Sequence, residues 1–180
     1  DPERAGVEFG EAERGIKETL SEVRRLIFDL RPMSLDEIGL LSALRPYAVK
    51  YEQRHGVRVE VRARGEERRL PVALETALYR IVQEALTNIW KHSQATRASV
   101  IVSFETGRCT VQVADDGVGF DVAAVRANSQ GEHLGIAGIR ERAEMIGGTL
   151  RIASAPGAGT TLIVTVPTGG LPATAGAQTA

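Results

Sequence analysis

Cysteine is almost missing from this chain: Cys109 is the only one in 180 residues. A single thiol excludes an internal disulfide framework and fits a reducing compartment. Its place in an apolar strand pattern reads as a small core or edge residue. Charge of one sign is missing as well. Lys and Arg number 22 against 23 Asp and Glu, a net charge of -1, which gives nucleic acid no broad basic surface to bind. No apolar run approaches the ~18–20 residues that cross a bilayer, and no signal-peptide architecture stands at the start. Also absent are an internal repeat, a strand followed by GxxxxGKS or GxxxxGKT, and a GxGxxG opening a helix after a first strand. The nucleotide fingerprints most often met are therefore excluded.

What is present is the composition of an ordinary globular chain, 43% hydrophobic and 25% charged, long enough for one well-cored domain and an appendage. Its abrupt, charged and helical-looking opening reads as a fragment of something longer. From Glu11 to Leu30, residues Ile16, Leu20, Val23, Ile27 and Leu30 recur at steps of three and four. That spacing predicts an amphipathic helix. So narrow a stripe needs a helical partner, and Arg31-Pro32 ends it. A second helix is expected over Gly39–Glu52, closed by His55-Gly56, and the alternation from Val57 to Arg62 then predicts a half-buried strand. Arginines 54, 58, 62, 64, 68 and 69 are interleaved with Glu60, Glu66 and Glu67. They read as a solvated face rather than an anion-binding patch.

Pro71 is placed to open a long helix through His92, with Leu74, Leu78, Ile81, Val82, Ala85 and Ile89 as its apolar stripe. Strands are expected at Ala98–Glu105, Cys109–Ala114, Thr149–Ala153 and Thr160–Val166, and a helix over Ile136–Ile146. Elements in this order make an α+β fold, a two-layer sandwich with helices on one face of a mixed sheet. The Gly/Ala/Thr-rich stretch from Thr168 to Ala180 reads as a disordered tail.

Several residues on this frame have chemistry to offer. On the long helix Glu84 and Asn88 stack four apart at the edge of the apolar arc, with Lys91 and His92 one turn on. Ordinary polar residues at a surface edge explain that helix on its own. The same Asn can give an oxygen to Mg²⁺, and Glu84 can accept a proton from an incoming nucleophile. Asp115 follows a buried strand and precedes Gly117-Val118-Gly119. A carboxylate there needs a designated donor. Adenine's amino group is one reading; an Asx-type turn at Asp116-Gly117 is the other. Gly135 to Gly138, leading into a helix near Ile139, is either an anion site at a helix N-terminus or a glycine hinge. Thr160, after Gly157-Ala158-Gly159, either bonds a phosphate or starts an edge strand.

Together, Glu84…Asn88, Asp115-x-Gly117-x-Gly119, Gly135-x-x-Gly138 and Gly157-x-Gly159-Thr160 resemble the asparagine box and three glycine boxes of the Bergerat-fold ATPases. Within these the resemblance is to the sensor histidine kinases of bacterial two-component systems, in the branch of the nitrate/nitrite and membrane-fluidity sensors. Leu30-Arg31-Pro32, Leu35-Asp36, Gly39-Leu40, Glu84–His92 and Gly138-Ile139-Arg140-Glu141-Arg142 support it, over residues 12–167. The resemblance implies three parts. Residues 1–33 correspond to the second helix of a dimerisation and phosphotransfer hairpin, 34–167 to an ATP-binding catalytic domain, and 168–180 to the tail.

It also implies roles. Asp115 reads the adenine amine, with Gly117, Gly119, Gly135, Ile136, Gly138 and Thr160 around the nucleotide. Asn88 holds Mg²⁺, Lys91 and His92 approach the phosphates, Glu84 helps activate the accepting histidine, and residues 121–137 form a lid. One departure matters. The family's phosphorylated histidine lies on the first helix of its hairpin, next to an acidic residue, and neither His55, His92 nor His133 has that setting. The resemblance therefore implies ATP·Mg²⁺ binding, with phosphotransfer to a histidine outside this chain. It further implies a response regulator as partner, a homodimer in the full-length protein, and a cytoplasmic place, the parent being membrane-anchored or not. The competing readings are a regulatory ATP-binding module without chemistry, an ATPase of the topoisomerase, mismatch-repair or chaperone kind, and a serine kinase. Intact Glu84 and Asn88 disfavour the first, neutral charge the second, and Leu30–Leu40 the last two.

Overall fold

The computed structural model describes Leu35, residues 39–123 and residues 134–169. The chain divides into two compact units, residues 1–33 and 34–180, and every described residue belongs to the second. The helix expected over 11–30, most of the lid, His133 and the tail beyond residue 169 lie outside the described residues.

Helix α1, Leu40–His55, buries Leu40, Leu41, Ala43, Leu44, Ala48 and Tyr51, and stops at Gly56 in the left-handed region (φ 73°), whose N–H bonds Glu52 O. It runs three residues past the expected end, because Gly56 rather than Glu52 is the first residue that leaves helical backbone. Strand β1, Arg58–Arg64, follows. Helix α2, Val72–Asn88, starts one residue after Pro71. Its first turn is held by Glu75, which is 1% exposed. That carboxylate accepts from Leu70 N–H at 3.1 Å and from both Nε and Nη2 of Arg69 at 3.1 Å. A buried charge needs such partners, and here they fasten the approach to the helix.

The expected single helix to His92 is corrected at its end. The α-helix stops at Asn88 and a π-helical turn, Ile89–Ser93, carries on. Ser93 Oγ donates to Ile89 O at 2.7 Å and accepts from Ala95 N–H at 3.0 Å, and Gln94 ends the turn at φ 55°. The wider turn re-aims the residues after Asn88, as π-turns do where they interrupt helices.

Because α2 intervenes between them, β1 and β2 (Arg97–Glu105) run parallel, as a helical crossover requires. Strands β3 (Arg108–Asp115), β4 (Thr149–Ser154) and β5 (Thr160–Pro167) complete a mixed sheet of order β1-β2-β3-β5-β4, antiparallel from β2 onward. Alternate residues Val100, Val102, Val111, Val113, Leu162, Val164 and Val166 are buried on one face. Leu78, Ile81 and Val82 of α2, and Ile139 and Ala143 of helix α3 (Leu134–Met145), are buried with them. Each such side chain contributes roughly 1.5–3 kcal/mol, which makes this face the core. The opposite face is half-buried, so the two-layer α+β sandwich stands as expected.

Between α1 and α2 runs a file of rings. Centroids are 5.8 Å apart for Tyr79–Tyr47, 6.4 Å for Tyr47–Tyr51, 4.8 Å for Tyr51–His55 and 4.4 Å for His55–Trp90. Tyr51 Oη donates to Leu86 O at 2.7 Å, and burial pushes its phenol up to about 12. Cys109 is fully buried, which pushes its thiol up to about 11; it is an inert core residue.

Candidate functional site

Register carries Asp115 to the edge of the core. It shares parity with Val111 and Val113, so its side chain lies on the helix-covered face, and it pairs with Ala98 on one side and Thr160 on the other. Thr160 pairs in turn with Ser154. Asp115 Oδ1 accepts from Gly117 N–H at 2.8 Å. Burial, the largest influence, raises its carboxyl above the ordinary value, against the N–H donors of Gly117 and Thr160. The expected Asx turn is therefore real, but Asp115 makes it.

Asp116 does different work. Its carboxylate accepts from Thr96 N–H, Thr96 Oγ1 and Arg97 N–H, each at 2.9 Å, and tethers the start of β2. Those donors, the Arg97 N–H first, hold it below the ordinary value. Two adjacent aspartates thus divide into a structural tether and a half-buried carboxylate facing the core edge.

Residues 117–120 are fastened on both sides. Gly117 is buried against Ser93, and Val118 N–H donates to Ser93 O at 2.7 Å while Gly157 N–H donates to Val118 O at 2.6 Å. Gly119, half-buried at φ 60°, lies against Ala155 and Gly159. Phe120 N–H donates to Ser154 Oγ at 2.9 Å, and Ser154 Oγ also meets Gly159 O at 2.9 Å and Thr160 Oγ1 at 3.0 Å. Gly159, at φ 70°, lies so close that a Cβ would stand 2.1 Å from Asp115 O. Sequence reasoning did not single out Ser154. Its only signal was a hydroxyl on the apolar parity of β4, following Leu150 and Ile152.

The second cluster forms where α2 meets α3. A Cβ placed on Gly135 would stand 2.6 Å from Asn88 Oδ1, 2.9 Å from Asn88 Nδ2 and 2.9 Å from Glu84 Oε1. The backbone of α3 at Gly135 therefore lies close against both side chains, and any side chain there would displace them. The expectation that Gly135–Gly138 precede a helix beginning near Ile139 is corrected here. The backbone is already helical at Leu134, so Gly135, Ile136 and Gly138 lie within α3. Glycine costs an interior helix position only about 1 kcal/mol, which this packing offsets. Gly138 O accepts from Arg142 Nη1 at 3.0 Å. Lys91 and His92 are exposed on the π-turn.

Thus Glu84, Asn88 and Gly135 come together, as do Asp115, Gly117, Gly119 and Thr160, with Ser93 of the π-turn joining the α2 end to Gly117. Among the described residues no group of three or more His, Cys, Asp or Glu is set to hold a metal. One amide oxygen from Asn88 suits Mg²⁺ all the same, since that ion keeps waters and takes most of its other ligands from phosphates. No helix among the described residues is long and apolar enough to cross a membrane.

Comparison with known proteins agrees with this geometry. Residues 73–170 match the family described as histidine kinase-, DNA gyrase B- and HSP90-like ATPase. The chain is similar to the signal transduction histidine-protein kinase/phosphatase DegS of Brevibacillus brevis, 38% identical over 89% of this chain and 40% of that protein. It is also similar to the oxygen sensor histidine kinase NreB of Staphylococcus carnosus, 36% identical over 82% of this chain and 42% of that one. The chain spans about two-fifths of the length of these relatives. Among solved structures, the histidine kinase domain of the Erythrobacter litoralis blue-light activated histidine kinase has the same fold. Its TM-score is 0.57 at 24% identity, covering 72% of this chain and 61% of that one.

Proposed function

We propose, from the premise that this chain belongs to the histidine kinase-, DNA gyrase B- and HSP90-like ATPase family, that it is the ATP-binding kinase domain of a two-component sensor histidine kinase. The observation that carries the reading is the meeting of Glu84 and Asn88 with the α3 backbone at Gly135. It joins the asparagine box to a glycine box whose helical backbone approaches both side chains closely.

In this reading Asp115 accepts a hydrogen bond from the adenine amine, beside Thr160 and the Gly117–Gly119 turn. The phosphates extend toward the α2 end and α3, past Asn88, Lys91, His92, Gly135, Ile136 and Gly138. Mg²⁺, when bound, would supply neutralisation of the phosphate charge, and Asn88 would offer it one oxygen. The accepting histidine belongs to another segment or molecule. One of its ring nitrogens forms the N–P bond while the bond from the γ-phosphorus to the bridging oxygen breaks and ADP departs with the electron pair. Glu84 takes the proton lost from the other ring nitrogen. The phosphoryl group then passes to a response regulator. The full-length protein acts as a homodimer in the cytoplasm, and nucleic acid is not its ligand.

The test is calorimetric titration with a non-hydrolysable ATP analogue and Mg²⁺, on this chain and on Asp115→Ala, followed by transfer from labelled ATP to a separately supplied histidine-bearing helix hairpin. Binding that disappears in Asp115→Ala, with transfer that disappears in Glu84→Gln, supports the reading. Binding without any transfer makes the chain a regulatory module. No binding by the intact chain overturns the nucleotide site itself.

A further inference from the structure

Ser154 ends β4 in a row with Thr160 and Asp115 on the helix-covered face. A serine hydroxyl has one hydrogen to give and accepts two. Three partners surround this one. Phe120 N–H donates to it at 2.9 Å. Gly159 O, which can only accept, lies at 2.9 Å. Thr160 Oγ1 lies at 3.0 Å. The carbonyl takes the single hydrogen and Phe120 fills one acceptor position, so the remaining contact is a hydrogen bond only when Thr160 donates it. Ser154 is then saturated and the hydrogen of Thr160 is committed to it. Away from Ser154, Thr160 presents lone pairs alone. Asp115 beside it is a carboxylate whose Oδ1 already holds the Gly117 N–H. These two neighbouring side chains therefore offer acceptors and no donor.

We propose that Ser154 is a positioning residue for nucleobase specificity: by holding Thr160 as an acceptor, it makes the site select a base edge that carries an amino group. The proposal rests on the ATP-site reading above and deepens it. Adenine brings two N–H hydrogens to that edge. Hypoxanthine brings a carbonyl oxygen in place of the amino group, which would face acceptors with no hydrogen between them. Its one edge N–H is moved to the neighbouring ring nitrogen. An unmade hydrogen bond at a desolvated polar group of this kind lowers affinity by roughly tenfold or more. Ser154 acts here through Thr160, without touching the nucleotide.

Competition calorimetry of the full chain with ADP and with inosine diphosphate, both with Mg²⁺, tests this, with thermal unfolding of each variant alongside. The intact chain should prefer ADP strongly. Ser154→Ala frees the Thr160 hydroxyl to turn and donate, so the ADP preference should fall by about tenfold, chiefly through tighter binding of inosine diphosphate. Ser154→Thr should restore the preference. A merely structural role would weaken both nucleotides alike, and an unchanged preference in Ser154→Ala overturns the proposal. If Ser154→Ala does not fold, Thr160→Val removes the acceptor directly, and an unchanged preference there overturns it equally. An intact chain that binds both nucleotides equally well refutes the specificity role while sparing the site. One that binds neither refutes the ATP reading itself.

Discussion

The two clusters of the candidate site are built by different means. At the sheet end, Asp115, Gly117, Val118, Phe120, Ser154, Gly157 and Thr160 are bound to one another or to the π-turn by hydrogen bonds of 2.6–3.0 Å. At the helix end, Glu84 and Asn88 meet α3 by close approach of backbone, and among the described residues neither side chain is hydrogen-bonded to a neighbour. The contrast matches what the proposed function asks each end to hold. A planar base is rigid, and a rigid group is best read by donors and acceptors fixed beforehand. Phosphates and a hydrated cation bring their own donors, acceptors and geometry, so oxygens placed by close packing suit them.

The contrast breaks most visibly at Gly159. Alanine there combines a left-handed backbone, worth roughly 1–2 kcal/mol, with a Cβ driven onto Asp115 O. Gly159→Ala should lose about 3 kcal/mol or more of stability by urea unfolding, along with nucleotide binding. Asn88→Ala should do the reverse. Its free energy of unfolding in urea should stay within about 0.5 kcal/mol of the parent, while phosphotransfer to a supplied histidine falls on the order of a hundredfold, a size typical of a lost transition-state contact. Equal damage to both properties in Asn88→Ala would erase the distinction between the ends.

Gly135→Ala sharpens it further. A helical alanine is favoured over glycine by about 1 kcal/mol, so the fold should hold or gain. Its methyl presses on Asn88 and Glu84, and Mg²⁺-dependent affinity for the ATP analogue should drop about tenfold. Asp115→Asn should give the smallest change in stability, and its sign is set by pH. Burial raises the folded carboxyl, so ionisation there opposes folding above that raised value. The variant should therefore melt slightly higher than the parent at neutral pH. The advantage should vanish as pH falls below the ordinary value of 3.8, where folded and unfolded carboxyls are both protonated. Nucleotide affinity of the parent should weaken on acidification earlier than a solvent-exposed aspartate would allow.

Much of this frame was legible in the sequence, for physical reasons that also mark where legibility stopped. Alternation located every described strand within one or two residues, because one face is buried and the other is not. Asp115 stood out as a carboxylate at the end of such a strand. The start of α3 was misplaced, since glycines at 135 and 138 read locally as loop, and only the packing against Asn88 and Glu84 explains glycine inside a helix. Ser154 and Glu75 passed unnoticed. Their partners at Phe120 and Arg69 are reached through tertiary contact or an irregular lead-in, neither of which has a period to betray it. The π-turn was likewise invisible, because Ile89 continues the apolar stripe whichever turn follows.

The file of rings between α1 and α2 ends at Trp90, the only tryptophan in the chain, half-exposed and stacked on His55. It stands two residues beyond Asn88, on the turn whose last residue bonds Val118. Its emission therefore has one source, seated where the two clusters are joined. The chain carries its own optical gauge: any change of packing where the π-turn meets residues 117–120 registers on a single lamp, with no label attached.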